Sequence, residues 1–169
     1  MKHQARTIAV CSMMAALGVV ILLLGAVLGL GMYVCPMIVG LCLIPIGRMY
    51  GTKYQLALWV VISLLAFLIV PNPEENLMFA GLLGWYPALY PKLQKLRKLP
   101  RLILKLLLFN GVILALETLV MLVLAPEAMS STMIAVLLIL GNLTFLLYDR
   151  AIPPFGIVAA KYLKHIFHN

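Results

Sequence analysis

The sequence predicts an all-α polytopic membrane protein with six transmembrane helices, and three observations lead to that prediction. The chain has 169 residues, of which 64% are hydrophobic and 11% charged, whereas soluble domains are about 45–50% apolar and about 25% charged. A soluble domain of this size has too little interior to bury so much apolar surface. The second and third observations are the spacing of the apolar segments and the distribution of the basic residues between them.

Six apolar segments follow one another along the chain, at roughly 7–30, 33–47, 54–70, 77–90, 102–125 and 131–149. A transmembrane helix needs about 20 apolar residues. The first, third, fifth and sixth segments meet this length or come close to it. The second and fourth are shorter and contain Pro36, Pro45 and Pro87, so we expect either a plain proline kink or a partly unwound backbone that other protein elements cover.

The basic residues sort to one face of a six-span protein. Lys and Arg lie before segment one, between two and three, between four and five or at the start of five, and after six. With six spans, all thirteen Lys and Arg fall on the same side, which the positive-inside bias assigns to the cytoplasm together with both termini. Glu74, Glu75 and Glu127 fall on the opposite side. The net charge of +8 is therefore attributed to topology and to lipid contact, and nucleic acid is not an expected partner.

Two stretches at the basic face are predicted to lie along the membrane surface. In 84–105, GWYPALYPKLQKLRKLPRLILK, leucines alternate with basic residues, which favours a short interfacial helix. Residues 1–150 are predicted to form the transmembrane domain, and residues 151–169 an amphipathic cytoplasmic-surface helix that begins at Pro153-Pro154. Its apolar face comprises Phe155, Val158, Ala159, Tyr162, Leu163, Ile166 and Phe167.

Glu117 is the leading candidate for a functional side chain. It lies about nine residues before Pro126, roughly 13 Å below the outer end of its helix. A carboxylate at that depth is costly, so it should face a cavity or a partner. It is either a ligand or proton contact, or a protonated glutamate bonded between helices. Asn110 and Asn142 are expected chiefly to bond neighbouring helices.

Further substrate-binding candidates lie near the predicted outer face. Asn72, Glu75 and Asn76 belong to the acidic PNPEEN stretch. This stretch is either a lid over an outward-facing pocket or a solvated cap of segment four, with Asn76 directly before the apolar run. Trp85 either stacks on a flat ligand or packs internally. Tyr33, at the start of segment two, completes the substrate-binding set.

Motifs for other chemistries are weak. Cys11, Cys35 and Cys42 lie in apolar segments, so no structural disulfide is expected, and no histidine accompanies them in a way that would indicate a metal site. The sequence has no Ser/His/Asp set, HExxH or Walker A loop. We therefore expect no enzymatic activity and no cofactor.

The chain resembles the membrane-embedded substrate-binding S components of energy-coupling factor (ECF) transporters, and bacterial membrane proteins related to them. The resemblance rests on six short spans with both ends inside, on ARTIAVCSMMAALGVVILLLG, on VPNPEEN and on GWYPALYPKL. It implies an S-component-like helical bundle in the plasma membrane of a bacterium. It also implies capture of a vitamin or related organic micronutrient, with a transmembrane coupling subunit and two ATPases as partners.

The resemblance also implies a docking surface on the first span. S components carry an Ala-xxx-Ala motif there, which Ala5 and Ala9 match literally and Ser12 and Ala16 match approximately. The ligand groups of the family come from the outer loops and from spans four to six, where Glu117, Trp85 and the 72–76 loop lie. Two other functions remain open: a small scaffold or assembly protein that does not transport, and an autonomous carrier that uses Glu117 as a protonatable switch.

Overall fold

The computed structural model describes residues 2–29, 33–123 and 131–167, with the side chains of 2–4, 117, 120–121, 123, 131–135, 137 and 159–167 left outside the description. Apart from short turns between the elements, the described residues are helical, and no strand occurs among them, which confirms the all-α prediction. The helices are α1 (Lys2–Leu28), α2 (Val34–Tyr50), α3 (Thr52–Ile69), α4 (Pro73–Met78), a π-helical turn (Phe79–Leu83), α5 (Tyr86–Leu93), α6 (Lys98–Val123) and α7 (Ser131–Phe167).

Within the described residues, three helices are long and apolar enough to cross a membrane: α1 over Ala5–Leu28, α3, and α6 over Lys98–Leu116. The second apolar segment forms the shorter helix α2, which has 17 residues and contains Pro45. Many large apolar side chains of these helices are exposed on the outside of the bundle; Leu68, for example, is 83% exposed. These features are compatible with a membrane protein. The number of spans and their orientation remain predictions.

Helices α1, α2 and α3 pack around one apolar core, formed by Ala15, Val19, Leu22, Val39, Leu43 and Ile62 among others. A second core joins α2, α4, α5, α6 and α7 and is rich in aromatic residues. Phe109 stacks on Phe145 with ring centroids 4.4 Å apart, and Tyr86 meets Phe145 edge to face at 5.0 Å.

The fourth apolar segment, for which a plain proline kink and a partly unwound backbone were the two expectations, is interrupted. α4 passes into the π-helical turn, a turn at Gly84 and Trp85 follows, and α5 begins at Tyr86. Because Pro87 has no N–H, the carbonyl of Leu83 lacks its usual helical donor. The buried hydroxyl of Tyr148 donates to that carbonyl at 2.7 Å. Gly40 of α2 lies against the Tyr148 hydroxyl and the Leu83 carbonyl oxygen, and a Cβ there would collide with both atoms. The absence of a side chain at Gly40 therefore leaves room for this hydrogen bond.

The C-terminal segment differs from its prediction. α7 runs without interruption from Ser131 to Phe167 and contains Pro153 and Pro154, so the helix that was expected to begin at 151 is a continuation of the sixth apolar segment. Ile152 is buried, and the backbone at Gly156 lies directly under the Arg48 guanidinium at the end of α2. Packing against α2 therefore holds this part of α7 to the bundle. The side chains of its predicted amphipathic faces from 159 onward lie outside the described residues.

The basic stretch between the fourth and fifth segments also differs from its prediction. α5 ends at Leu93, residues 94–97 form a non-helical turn, and α6 begins at Lys98. No separate interfacial helix therefore spans 93–99. Pro100 lies in the first turn of α6, where its missing N–H removes no helical hydrogen bond.

Candidate functional site

The polar stretch before α4 folds inward. Asn72 is the N-cap of α4, and its side-chain oxygen accepts from the backbone N–H groups of Glu74 at 3.2 Å and Glu75 at 3.4 Å. Pro73 follows at the first helical position, where its fixed φ favours helix initiation. The cap of this segment is therefore Asn72, and not Asn76 as the position of Asn76 before the apolar run suggested.

Glu75 is the most buried carboxylate among the described side chains, with 1% of its surface exposed. It lies against Gly25 of α1 and Cys35 of α2. A Cβ added to Gly25 would lie 2.6 Å from both the Glu75 Oε1 and the Cys35 Sγ. The absence of a side chain at Gly25 therefore makes the space that Glu75 occupies.

The Oε1 atom of Glu75 is buried and has no hydrogen-bond partner among the described residues. Buried polar atoms almost always have a partner, so an exception points to strain, to function or to a ligand. Glu75 precedes the fourth apolar segment, and burial raises the pKa of its carboxyl to about 7 because the charged form is disfavoured away from water.

Asn76 is equally buried, at 1% exposed, and its side chain completes the end of α3. Its amide nitrogen donates to the carbonyls of Ala66 at 3.1 Å and Val70 at 3.0 Å. The Ala66 carbonyl also accepts from the Val70 N–H, so the amide adds a second donor there and supplies a donor to the Val70 carbonyl at the end of the helix. Its Oδ1 is buried and unpartnered within the described part of the chain. Glu75 and Asn76 thus point into the protein, which excludes the solvated-cap alternative for these two side chains.

Trp85 and Tyr33 both pack against the aromatic core. The indole N–H of Trp85 donates to the Gly81 carbonyl at 2.7 Å, so its donor is used within its own segment. Tyr33 precedes α2, and its carbonyl accepts from the Met37 N–H at 3.1 Å. Neither residue lies in the same turn as Glu75, and their predicted stacking or contact roles stay predictions.

Glu117 lies in α6, and its side chain is outside the described residues. The preceding residue, Leu116, packs against Gly81, where a Cβ would come within 3.0 Å of its methyl group. The backbone at Glu117 therefore lies at the level of the π-helical turn. Helix α4 also contacts α6, so the segments that carry Glu75 and Glu117 are neighbours in the bundle.

Asn110 and Asn142 form a reciprocal amide pair between α6 and α7. The Asn110 nitrogen donates to the Asn142 oxygen at 3.1 Å, and the Asn142 nitrogen donates to the Asn110 oxygen at 2.8 Å. Each nitrogen also donates to the carbonyl four residues earlier. The expected bonding between helices is confirmed for both residues.

At the opposite, basic end of the bundle the structure shows an ion pair that sequence reasoning missed. Lys105, 4% exposed, donates to both carboxylate oxygens of Asp149 at 2.6 and 2.7 Å. Tyr86 donates to the same carboxylate at 2.5 Å, and the ammonium lies 4.6 Å from the centre of the Tyr90 ring. The sequence feature that could have indicated this ion pair is Asp149 itself, an acidic residue directly before Arg150 at the predicted basic face.

The predicted docking residues lie on the outside of α1. Ala5, Ala9, Ser12 and Ala16 are all exposed. Ser12 and Ala16 line an apolar groove of about 410 Å³ between α1 and α3, together with Ala15, Ala57 and Leu58. The groove opens onto the surface that a bilayer or another membrane protein would cover.

Metal-ligating side chains do not converge in the described part of the chain: no group of three His, Cys, Asp or Glu is close enough to hold an ion. Cys11, Cys35 and Cys42 form no disulfide. No family model, curated protein or solved structure matches the chain significantly.

Proposed function

We propose that this chain is the membrane-embedded substrate-capture subunit of an ECF-type importer for a vitamin or related organic micronutrient. In this proposal it crosses the plasma membrane of a bacterium six times, and a separate coupling subunit and two ATPases energise transport. The observation that carries the proposal is the buried Glu75 carboxylate, whose Oε1 has no partner among the described residues.

A buried carboxylate without a complete set of donors is unfavourable. A ligand that presents an N–H, an O–H or a positive charge to Oε1 would supply the missing interaction, and would bind the more tightly because the site is desolvated. Glu75 lies at the end of the bundle opposite the basic residues, which is the outer end under the positive-inside bias. We therefore propose that the ligand arrives from outside and carries at least one donor group.

The groove between α1 and α3 supports the coupling part of the proposal. Its small side chains, among them Ser12 and Ala16, allow the backbone of another helix to approach closely, which is how transmembrane helices associate. Ala9 is exposed one turn earlier on the same helix. A coupling subunit that packs along α1 would cover this surface.

The test is to purify the chain in mild detergent, denature it, and identify any released small molecule by mass spectrometry. Glu75→Gln keeps the shape of the side chain but removes the charge, and we expect it to lower the retained ligand at least about tenfold. Glu74→Gln is the matched control, because it changes the same charge on a neighbouring, half-buried residue.

The proposal fails if the wild-type protein is empty and its thermal stability responds to no member of a vitamin and nucleobase panel. It also fails if the two glutamine variants retain equal amounts of ligand.

A structural helper that does not transport is the second candidate function. The observation that favours it is the Asn110–Asn142 pair, in which two polar residues of the bundle are used for packing. A helper function predicts that Glu75→Gln leaves the function of the chain unchanged.

A further inference from the structure

The basic end of the bundle contains a cleft that is separate from the proposed ligand site at Glu75. It has a volume of about 400 Å³ and lies between α5, α6 and α7. Four basic side chains and one carboxylate line it: Lys98, Arg101, Lys105, Arg150 and Asp149.

The single carboxylate does not cancel the charge of the cleft. Asp149 forms an ion pair with Lys105, whose Nζ lies 2.6 Å from its Oδ1, and it also accepts from Tyr86. The charge of Asp149 is therefore compensated by the buried Lys105. Lys98, Arg101 and Arg150 then leave an excess of three positive charges on the lining.

The position of Arg101 suits it for binding an anion. Its guanidinium donates to the side-chain oxygen of Gln94, which orients the group while leaving other N–H donors directed elsewhere. Arginine presents a planar fork that matches phosphate oxygens in pairs. An orientation that is fixed before binding lowers the entropy lost on binding.

The surface beside the cleft is apolar. Leu99, Leu102 and Ile103 of α6 are 76%, 46% and 60% exposed. A phosphate group in the cleft would therefore have an apolar helix face beside it, along which acyl chains can lie. Basic pockets between transmembrane helices at the cytoplasmic surface bind the headgroups of anionic lipids in this way.

We propose that this basic cleft is a binding site for a phosphate group, carried by the headgroup of an anionic phospholipid, with Arg101, Arg150 and Lys98 as its ligands. Lys105 and Asp149 hold α6 and α7 at the spacing that keeps the cleft open. The site is independent of the ligand proposed at Glu75, and either can fail without the other.

The experiment uses the full chain in detergent and counts bound lipid by native mass spectrometry. Phosphatidylglycerol and phosphatidylcholine are added in turn, and a third arm adds inorganic phosphate alone and follows the thermal midpoint. Arg101→Gln/Arg150→Gln removes two charges from the cleft. Lys92→Gln/Lys95→Gln is the matched control, because it removes two exposed charges at the same end that do not line the cleft.

We expect the wild-type protein to bind phosphatidylglycerol in preference to phosphatidylcholine, with the affinity falling about tenfold in the cleft variant and less than about twofold in the control. Arg101→Lys/Arg150→Lys should lie between, because it keeps the charge but loses the fork. If inorganic phosphate alone raises the midpoint of the wild-type protein but not of the cleft variant, and lipid shows no preference, the phosphate belongs to a soluble compound and the lipid proposal is overturned. Equal losses in cleft and control variants, or no response to either source, would also overturn it.

Discussion

Each end of the helical bundle shields a carboxylate from solvent, completely at Glu75 and largely at Asp149, whose side chain is 17% exposed. The two carboxylates have different neighbours. At the basic end, Asp149 accepts from Lys105 and Tyr86, so the protein itself supplies its partners. At the opposite end, Glu75 is more deeply buried, yet its Oε1 has no partner among the described residues. The contrast separates a carboxylate that holds two helices together from one that leaves an interaction open to another molecule.

Removing the carboxylate at the basic end should cause the largest loss of folding stability. Asp149→Ala leaves the Lys105 ammonium buried without an opposite charge and Tyr86 without its acceptor. Breaking a fully buried pair costs about 3–5 kcal/mol of folding free energy, and because the Asp149 side chain is 17% exposed we expect a loss at the lower end of that range. Unfolding in detergent, followed by thermal midpoint or by denaturant titration, measures this loss.

The paired replacement Lys105→Met/Asp149→Leu is the control for that experiment. It removes both charges, so the part of the loss that comes from the unpaired ammonium should return, because an apolar pair of similar volume often replaces a buried ion pair without loss. The part that comes from Tyr86 should remain, because its hydroxyl still lacks the Asp149 acceptor. If the free energy of unfolding of Asp149→Ala lies within about 1 kcal/mol of the wild-type value, the ion pair contributes little to stability.

At the opposite end, Glu75 should make the stability of the protein depend on pH. Its pKa is raised from the ordinary 4.5 to about 7 by burial, so the unfolded chain ionises first as the pH increases. Stability is therefore fully present below about pH 4.5, decreases up to about pH 7, and levels off above it. The expected total loss is on the order of 3 kcal/mol.

Thermal midpoints of the protein without ligand across this pH range measure the slope. Glu75→Gln should flatten it, because the amide does not titrate, while Glu74→Gln should retain it. A slope that survives in Glu75→Gln would assign the titration to another group and would remove the contrast between the two ends.

Sequence reasoning predicted the helical class, and it identified the fourth segment as one that its prolines would kink or unwind, because apolar composition and proline act locally. It also anticipated that Asn110 and Asn142 bond neighbouring helices, since polar groups within apolar segments need partners. It did not separate Glu75 from Glu74, because the burial of Glu75 depends on Gly25 and Cys35, which are distant in sequence. Counting along a helix gives the depth of a residue but not the neighbour that it faces.

The same limit explains the ion pair and the C-terminal helix. In the sequence, Lys105 is one of many basic residues at the predicted cytoplasmic face. Its partner Asp149 lies 44 residues away, so the sequence does not indicate that the two form a pair. Pro153 and Pro154 read as a helix boundary, since proline usually disrupts helix interiors. Packing of Gly156 under Arg48 is a tertiary contact that the local pattern does not contain.

The smallest expected effect comes from a single methyl group at the Glu75 end. Gly25→Ala places a Cβ 2.6 Å from both the Glu75 Oε1 and the Cys35 Sγ, so both contacts must be relieved, at a cost of about 1–3 kcal/mol. Gly111→Ala is the matched control, because a Cβ there meets nothing within 4 Å and alanine favours the helix by up to about 1 kcal/mol. Thermal midpoints of the two variants should therefore move in opposite directions.

The Gly25 variant also tests why Glu75 is buried. If the added methyl group displaces the carboxyl toward water, the pH slope between about 4.5 and 7 should weaken in Gly25→Ala and persist in Gly111→Ala. A loss of stability with an unchanged slope would mean that the neighbours of Gly25 shift to accommodate the methyl group while the carboxyl stays buried. In that case the space for Glu75 would depend on more than the missing side chain at Gly25, and the open interaction at its Oε1 would be a property of the whole α1–α2–α4 packing.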